Sequence, residues 1–224
     1  MDTLLIILYI FINFISIYLS YRYFDKNGLF TLSILFFMVS FLTLNQLIKF
    51  NVITYNIAII SFVSFTAIEY IFIVKETKKE NKKYLFNYII FNIIFITSLI
   101  LTLLYNHSIN DTFSKNFLLT FFENKLIFIL FPFINIISII LTYKIFEYIQ
   151  KKENIFFNKI IITTIIVGII DTILYFTIGN ILDIGFIGSL RIALGNYLIK
   201  ILLTILFIPL IYTITDKRKR ISWI

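Results

Sequence analysis

The stretch VGIIDTILYF, residues 167–176, places one carboxylate, Asp171, inside a run of residues that otherwise suits a helix in lipid. An ionisable side chain near the middle of a bilayer costs about 2.5–3.5 kcal/mol on insertion scales, and it usually has a partner or a functional role. The whole chain shares this apolar character, because 60% of its 224 residues are hydrophobic and only 14% are charged. Soluble domains carry about 25% charged residues, so the sequence predicts an all-α polytopic membrane protein.

The length of the apolar segments predicts the number of helices. A helix needs about 20 apolar residues to cross the hydrocarbon core. Such segments recur from end to end, so we expect a single integral membrane domain over residues 1–224, a bundle of six or seven transmembrane helices. The seven candidate spans are residues 4–22, 29–48, 53–74, 84–105, 125–149, 160–180 and 191–214. Between them lie charged or polar connectors, such as KETKKENKK, and a glycine-rich turn near residues 179–188.

The positions of Lys and Arg predict the orientation, because cytoplasmic connectors carry an excess of both. With the N-terminus outside, fourteen of the 20 Lys and Arg fall in cytoplasmic connectors or in the C-terminal tail. The abundance of Ile, Phe, Asn and Lys is typical of AT-rich bacterial genomes. We therefore expect a bacterial cytoplasmic (inner) membrane protein with a cytoplasmic C-terminus. The net charge of +8 follows from this pattern and from contact with the anionic lipid bilayer, so it requires no nucleic-acid partner.

Three predicted spans carry small or polar residues at spacings of three and four, which places them on one helix face. They are Asn135, Ser138 and Thr142 in span five, Thr164, Gly168, Asp171, Tyr175 and Gly179 in span six, and Asn196, Lys200 and Thr204 in span seven. At 1.5 Å per residue from the turn between spans six and seven, Asp171 and Lys200 reach similar depths. We expect them to form an ion pair or a shared-proton pair, which would offset the cost of burying both charges. For Ser138, Thr142, Thr204 and the glycines, packing between helices is favoured over ligand contact, whereas for Asp171 and Lys200 a functional role is favoured.

Charges near the ends of spans are expected to reach the aqueous interface. This group contains Glu69, Lys144 and Glu147.

Enzyme signatures are missing from the sequence. There is no cysteine and a single histidine, His107, which lies in a polar connector. No metal-binding helix motif, phosphate-binding glycine loop or nucleophile elbow occurs. We therefore expect that the chain is not an enzyme and that it binds no metal ion or cofactor.

The stretches VGIIDTILYF and NYLIKILLTILFIPLIYTI (residues 196–214) resemble the C-terminal signature of the vitamin-uptake-like (VUT) family, the queuosine precursor transporters. The matching positions are Ile170-Asp171-Thr172, Tyr175, Tyr197-Leu198-Ile199-Lys200, Pro209 and Tyr212. The likeness is good over residues 125–214 and weak before them. Gly168 stands where members usually have Gln, and Ala67 stands where they have Asp.

The resemblance implies uptake of a small heterocyclic compound, a queuosine precursor of the 7-deazaguanine type, bound between spans five, six and seven. A carboxylate accepts hydrogen bonds from a ring N–H and a neighbouring exocyclic amine at the same time. In that case Asp171 recognises these two donors and Tyr175 stacks on the ring. Asn135 or Asn196 forms hydrogen bonds to other edges of the base. Alternatively, Asp171 and Lys200 form a proton-coupled switch. The candidate substrate-binding or transport-path residues are Asp171, Lys200, Thr172, Tyr175, Asn135 and Asn196.

Two other functions stay open at this point. One is a substrate-binding membrane subunit of an energy-coupling-factor-type vitamin importer, which needs an ATPase partner. The other is a non-transporting membrane scaffold. The expected partners are a small-molecule substrate and the lipid bilayer, and either a second copy of the chain or an ATPase subunit is compatible with the sequence.

Overall fold

Long apolar helices make up most of the computed structural model, which describes residues 2–44, 46–50, 53–104 and 125–216. The helices are α1 (Asp2–Leu42), α2 (Ala58–Lys75), α3 (Lys78–Leu104), α4 (Lys125–Gln150), α5 (Phe156–Gly168) and α6 (Tyr175–Thr215). A π-helical segment, Ile169–Leu174, joins α5 to α6. Two short strands, β1 (Leu47–Phe50) and β2 (Ile53–Asn56), form an antiparallel hairpin before α2. His107 and the basic tail after Asp216 lie outside the described residues.

Five helical stretches within the described residues are long and apolar enough to cross a membrane. They are Leu4–Leu42, Ala58–Lys75, Lys78–Leu101, Ile127–Gln150 and Phe156–Thr215. Many large apolar side chains on the outside of the bundle are exposed, as lipid-facing residues are. The helical membrane protein that the composition predicts is therefore what the structure supports. The count of seven spans and the orientation stay predictions.

The first of these stretches is divided by a reversal at Asp25, whose φ of 52° and ψ of −143° are not helical. Contacts on either side of Asp25 show the change of direction. Before it, Tyr9 and Asn13 bond to Ser61 and Ser64 of α2, in parallel order. After it, Phe30 and Phe37 pack on Tyr84 and Phe91 of α3, which runs antiparallel to α2. The reversal falls in the connector predicted between spans one and two.

The last stretch is divided in the same way at Gly185. Its φ of 72° and ψ of 172° are open to glycine and strained for other residues. The Tyr197 hydroxyl donates to the Ile165 carbonyl (3.1 Å), and the Tyr212 ring packs on Phe156. The second half of α6 therefore runs back along α5.

The hairpin is a feature that the predicted spans missed. Span two was expected to continue to residue 48 and span three to begin at residue 53, but α1 ends at Leu42 and both segments supply strand residues instead. The sequences of the two strands, LIKF and ITYN, contain Ile and aromatic residues, and these residue types favour strands. Non-helical backbone at membrane depth needs cover from protein. The hairpin has it, because a Cβ atom on Gly195 would lie 2.1 Å from the Thr54 carbonyl oxygen, so the backbones of β2 and α6 touch.

The core centres on α2, in which residues 58–72 are all buried. Its sequence is apolar on every face, which is typical of a helix surrounded by others. Ion pairs and hydrogen bonds gather at its C-terminal end. Lys26 pairs with Glu80 (3.0 Å), Lys78 pairs with Glu147 (2.5 Å), and Lys75 donates to the Ile214 carbonyl (3.1 Å). The basic connectors that were predicted to be cytoplasmic therefore share one end of the bundle, which we call the basic end.

Candidate functional site

The predicted ion pair between Asp171 and Lys200 is present in the interior of the bundle. The Lys200 Nζ atom lies 2.5 Å from the Asp171 Oδ2 atom, and the two side chains are 2% and 0% exposed. The counting of helical turns from the intervening connector therefore identified two residues that meet. Because each charge offsets the desolvation of the other, the pair makes their burial tolerable.

Two hydroxyl groups complete the surroundings of the Asp171 carboxylate. Ser138 Oγ on α4 donates to Oδ2 (2.7 Å), and Thr172 Oγ1 donates to Oδ1 (2.8 Å). A carboxylate offers about four lone-pair positions, and Lys200 and the two hydroxyls together use three of them. The Lys200 ammonium also lies 4.8 Å from the centroid of the Phe62 ring, within range of a cation–π contact. Four elements of the bundle thus converge on one ion pair.

The local backbone explains why Asp171 reaches Lys200. Asp171 lies in the π-helical segment, where both it and Thr172 are buried, and such segments in helices are frequent at functional sites. One turn earlier, a Cβ atom on Gly168 would lie 2.7 Å from the Tyr197 ring. The absence of a side chain at Gly168 lets α5 and α6 approach closely at the depth of the pair.

A small cavity of about 10 Å³, room for about one water molecule, adjoins the ion pair. We call it the Asp171 cavity. Aromatic and aliphatic side chains form most of its wall, and Asn135 and Asp171 are the polar residues among the described ones that line it. The lining comprises Leu44, Ala58, Ile59, Phe62, Phe131, Ile134, Asn135, Asp171, Tyr175 and Phe176.

Besides Asp171, the Tyr175 hydroxyl and the Asn135 amide are polar groups at the cavity, and they differ in their free hydrogen-bonding capacity. The Tyr175 hydroxyl donates to the Ile127 carbonyl (2.9 Å), so its ring is fixed at the wall and its hydroxyl is engaged. Asn135 Oδ1 accepts a hydrogen bond from the Tyr88 hydroxyl (3.3 Å). The Asn135 Nδ2 group is buried and has no hydrogen-bond partner among the described residues. It is therefore a donor available to a ligand in the cavity.

The structure separates the six predicted site residues into three groups. Asp171, Tyr175 and Asn135 line the cavity, whereas Lys200 and Thr172 lie behind the carboxylate and hold it. Asn196 is elsewhere, because its Oδ1 atom accepts a hydrogen bond from the Asn56 backbone N–H (2.7 Å) and so fastens the hairpin. The face that Asn196 shares with Lys200 predicted its burial correctly, but it could not reveal a strand on the other side.

Sequence reasoning missed the contribution of α2 to the site. Spans five, six and seven were expected to enclose it, but Ala58, Ile59 and Phe62 of α2 form part of the wall. The available signal was an α2 sequence in which apolar residues occur on all sides and no polar face is set apart, because such a helix lies inside a bundle.

The same helix overturns the prediction for Glu69. This residue is 2% exposed, and neither of its carboxylate oxygens has a hydrogen-bond partner among the described residues. It was expected at the interface because of its distance from the end of its span, but α2 is enclosed by neighbouring helices over that length. Lys144 is exposed and Glu147 is partly exposed at the basic end, as expected.

Within the described part of the chain, no three His, Cys, Asp or Glu side chains cluster as ligands of a metal ion. Comparison with protein-family models, with curated proteins and with solved structures finds no match to this chain. The resemblance to the VUT family stays a prediction carried by the residues quoted above, and a function must be argued from the site itself.

Proposed function

We propose that the chain is a transporter of the bacterial inner membrane for uptake of a small heterocyclic compound, a queuosine precursor of the 7-deazaguanine type. In this proposal the chain crosses the membrane seven times, with its N-terminus outside and its basic end in the cytoplasm. The observation that carries it is a buried carboxylate–ammonium pair at the wall of an aromatic cavity. Buried charges around irregular helices near the middle of a membrane are typical of transport sites.

The wall of the Asp171 cavity carries the groups that would bind a planar bicyclic base, and the cavity of about 10 Å³ must widen to admit one. Phe62, Phe131, Tyr175 and Phe176 offer ring faces and edges for stacking. The unpartnered Asn135 Nδ2 group can donate to a ring carbonyl. Asp171 can accept from the ring N–H and the exocyclic amine that such a base presents side by side.

Binding and the ion pair compete in this arrangement. Three of about four acceptor positions on the Asp171 carboxylate are taken, so a ligand with two adjacent N–H donors must displace at least one present donor. Lys200 comes from the second half of α6, whereas Thr172 neighbours Asp171 in the chain. Release of Lys200 therefore moves one helix relative to another, and this links recognition of the ligand to a rearrangement of the bundle.

The test is uptake of a queuosine precursor by cells that lack their own transporter and synthesis route, read as queuosine in tRNA. The wild type is expected to restore queuosine, and Asp171→Asn and Lys200→Ala are expected to fail at equal membrane levels. Asp183→Asn, an exposed aspartate of α6, is the matched control and should behave as the wild type does. Asn135→Ala should raise the precursor concentration needed for half-maximal uptake. Failure of a well-inserted wild type, with and without added ATPase subunits of an importer, would refute the substrate assignment.

A further inference from the structure

The buried charges of the bundle do not balance. Among the described residues, the charged side chains classed as buried are Glu69, Asp171 and Lys200. Asp171 and Lys200 neutralise each other at 2.5 Å, which leaves the carboxylate of Glu69 without a positive partner. An uncompensated charge in a low-dielectric interior costs several kcal/mol, so a further positive charge is required there whenever Glu69 is ionised.

Glu69 faces a second cavity, distinct from the Asp171 cavity, which we call the Glu69 cavity. It has a volume of about 10 Å³, and its lining comprises Glu69, Phe72, Ile73, Asn81, Tyr84, Leu85, Ile139 and Tyr143. Helices α2 and α4 contribute to both cavities. Phe62 and Glu69 are seven residues apart on α2, which is two turns and about 10 Å along the same face. The Glu69 cavity therefore lies on the side of the Asp171 cavity that faces the basic end.

Several oxygen atoms of this cavity are buried and have acceptor positions left open. Besides both carboxylate oxygens of Glu69, the Asn81 Oδ1 atom and the Tyr84 hydroxyl are buried without a hydrogen bond to any described residue. The Asn81 Nδ2 group is directed to the Glu76 carbonyl (3.4 Å). The Ser33 hydroxyl donates to the Phe30 carbonyl (2.7 Å), so towards the neighbouring Tyr84 hydroxyl it can act only as an acceptor, which leaves the Tyr84 oxygen lone pairs open. Oxygen atoms are therefore what the cavity offers to a ligand.

We propose that the Glu69 cavity binds one small monovalent metal cation of the size of Na⁺, held by the oxygens of Glu69, Asn81 and Tyr84. Carboxylate, amide and hydroxyl oxygens are ligands for hard cations. A single positive charge balances the single unpaired carboxylate, whereas a divalent ion would leave a net charge in the interior. A proton would satisfy one oxygen only and would leave the other unpartnered oxygens of the cavity without a ligand.

Other titratable groups surround Glu69 and bear on how the test is designed. They are Tyr70 on α2, Tyr84 and Tyr88 on α3, Tyr143 on α4, Asp171 in the π-helical segment and Lys200 on α6. Lys200 is close enough to interact electrostatically with Glu69, but its ammonium bonds to Asp171. Lys200 therefore does not neutralise Glu69, and only a role of the bound cation as coupling ion rests on the proposed transport.

The test measures thermal unfolding of the full-length protein in detergent, without any transported compound. The probes are NaCl, KCl and choline chloride at one ionic strength and pH. A cation that binds the folded state raises the midpoint by mass action, and we expect a saturable rise of about 2–4 °C for the wild type in Na⁺ over choline. Glu69→Gln, which keeps the shape and removes the charge, should fold and lose this rise. Tyr84→Phe should move the rise to higher Na⁺ concentration.

The matched control is Glu147→Gln, because the Glu147 carboxylate is partly exposed and pairs with Lys78 at the basic end. It should keep the full response to Na⁺. An equal response of wild type and Glu69→Gln would overturn the proposal. So would a midpoint of the wild type that depends on pH but not on the metal cation, because Glu69 would then carry a proton. Since no transport is measured, the proposed uptake function can fail while the cation site stands.

Discussion

The buried ion pair between Asp171 and Lys200 predicts that loss of either residue lowers the free energy of unfolding, and its surroundings predict which loss is larger. Lys200→Met removes the ammonium but leaves the carboxylate with two hydroxyl donors, Ser138 and Thr172. Asp171→Leu leaves the ammonium with no other hydrogen bond in the part of the chain that the structure describes. Loss of one member of a buried pair costs about 3–5 kcal/mol. We expect Lys200→Met near the lower value and Asp171→Leu near the upper one.

The double variant Asp171→Leu/Lys200→Met separates the cost of a broken pair from the cost of lost contacts. Replacing a buried pair by apolar residues of similar volume is often neutral or stabilising, so the double variant should lie within about 1 kcal/mol of the wild type. Ser138 and Thr172 can then bond to carbonyls of their own helices. The same double variant should not transport, because the carboxylate that recognises the ligand is gone.

The measurement is reversible unfolding in mixed micelles of mild detergent and SDS, followed by far-ultraviolet circular dichroism. Four proteins close a double-mutant cycle, and single losses of about 3 and 5 kcal/mol with a nearly unchanged double variant correspond to a coupling free energy of about 7 kcal/mol. The reasoning is refuted if Lys200→Met unfolds at the midpoint of the wild type. It is also refuted if the double variant is no more stable than the less stable of the two single variants.

Two further predictions concern the contacts that hold the site. Gly195→Ala should lower the unfolding midpoint and reduce uptake, because its Cβ atom would meet the Thr54 carbonyl oxygen at 2.1 Å, whereas Gly188→Ala meets side-chain atoms at 3.4 Å and should leave both unchanged. Equal unfolding midpoints of the two alanine variants would show that the hairpin does not depend on this contact. Ser138→Ala should cost about 1 kcal/mol, since it removes an interhelical hydrogen bond within the membrane. Ser40→Ala, which removes only a bond to its own helix, should cost less, and the reverse order would contradict this assignment.

The sequence predicts the helices of this bundle better than it predicts the hairpin. Membrane spans are read from length and apolarity, and both signals average over about 20 residues. A four-residue strand such as Leu47–Phe50 is too short to interrupt that average. The hairpin is held through β2, whose Thr54 and Asn56 contact the Gly195 backbone and the Asn196 side chain, and no local pattern reveals these distant partners.

The ion pair was predictable because two regular quantities determine it. The rise per residue of a helix is fixed, and a reversal near the glycines sets a common origin for counting along α5 and α6. The break at Gly185 supplies that origin in the structure. The aromatic wall was less predictable, because Phe62 and Phe131 belong to helices with many other Phe residues. Phe alone gives no sign of which face of a helix meets a cavity.

Glu69 shows how the same depth argument fails when the surroundings of a helix are unknown. Distance from a span end predicts access to water only for a helix that lipid or water contacts on one side. Helix α2 has other helices on all sides over residues 58–72, so even a charge about two turns from its end is enclosed. The decisive sequence feature is the contrast between this charge and a segment that is apolar on every face. Such a charged side chain cannot reach water, so its desolvation must be offset inside the bundle, either by a proton or, as we propose, by a bound cation.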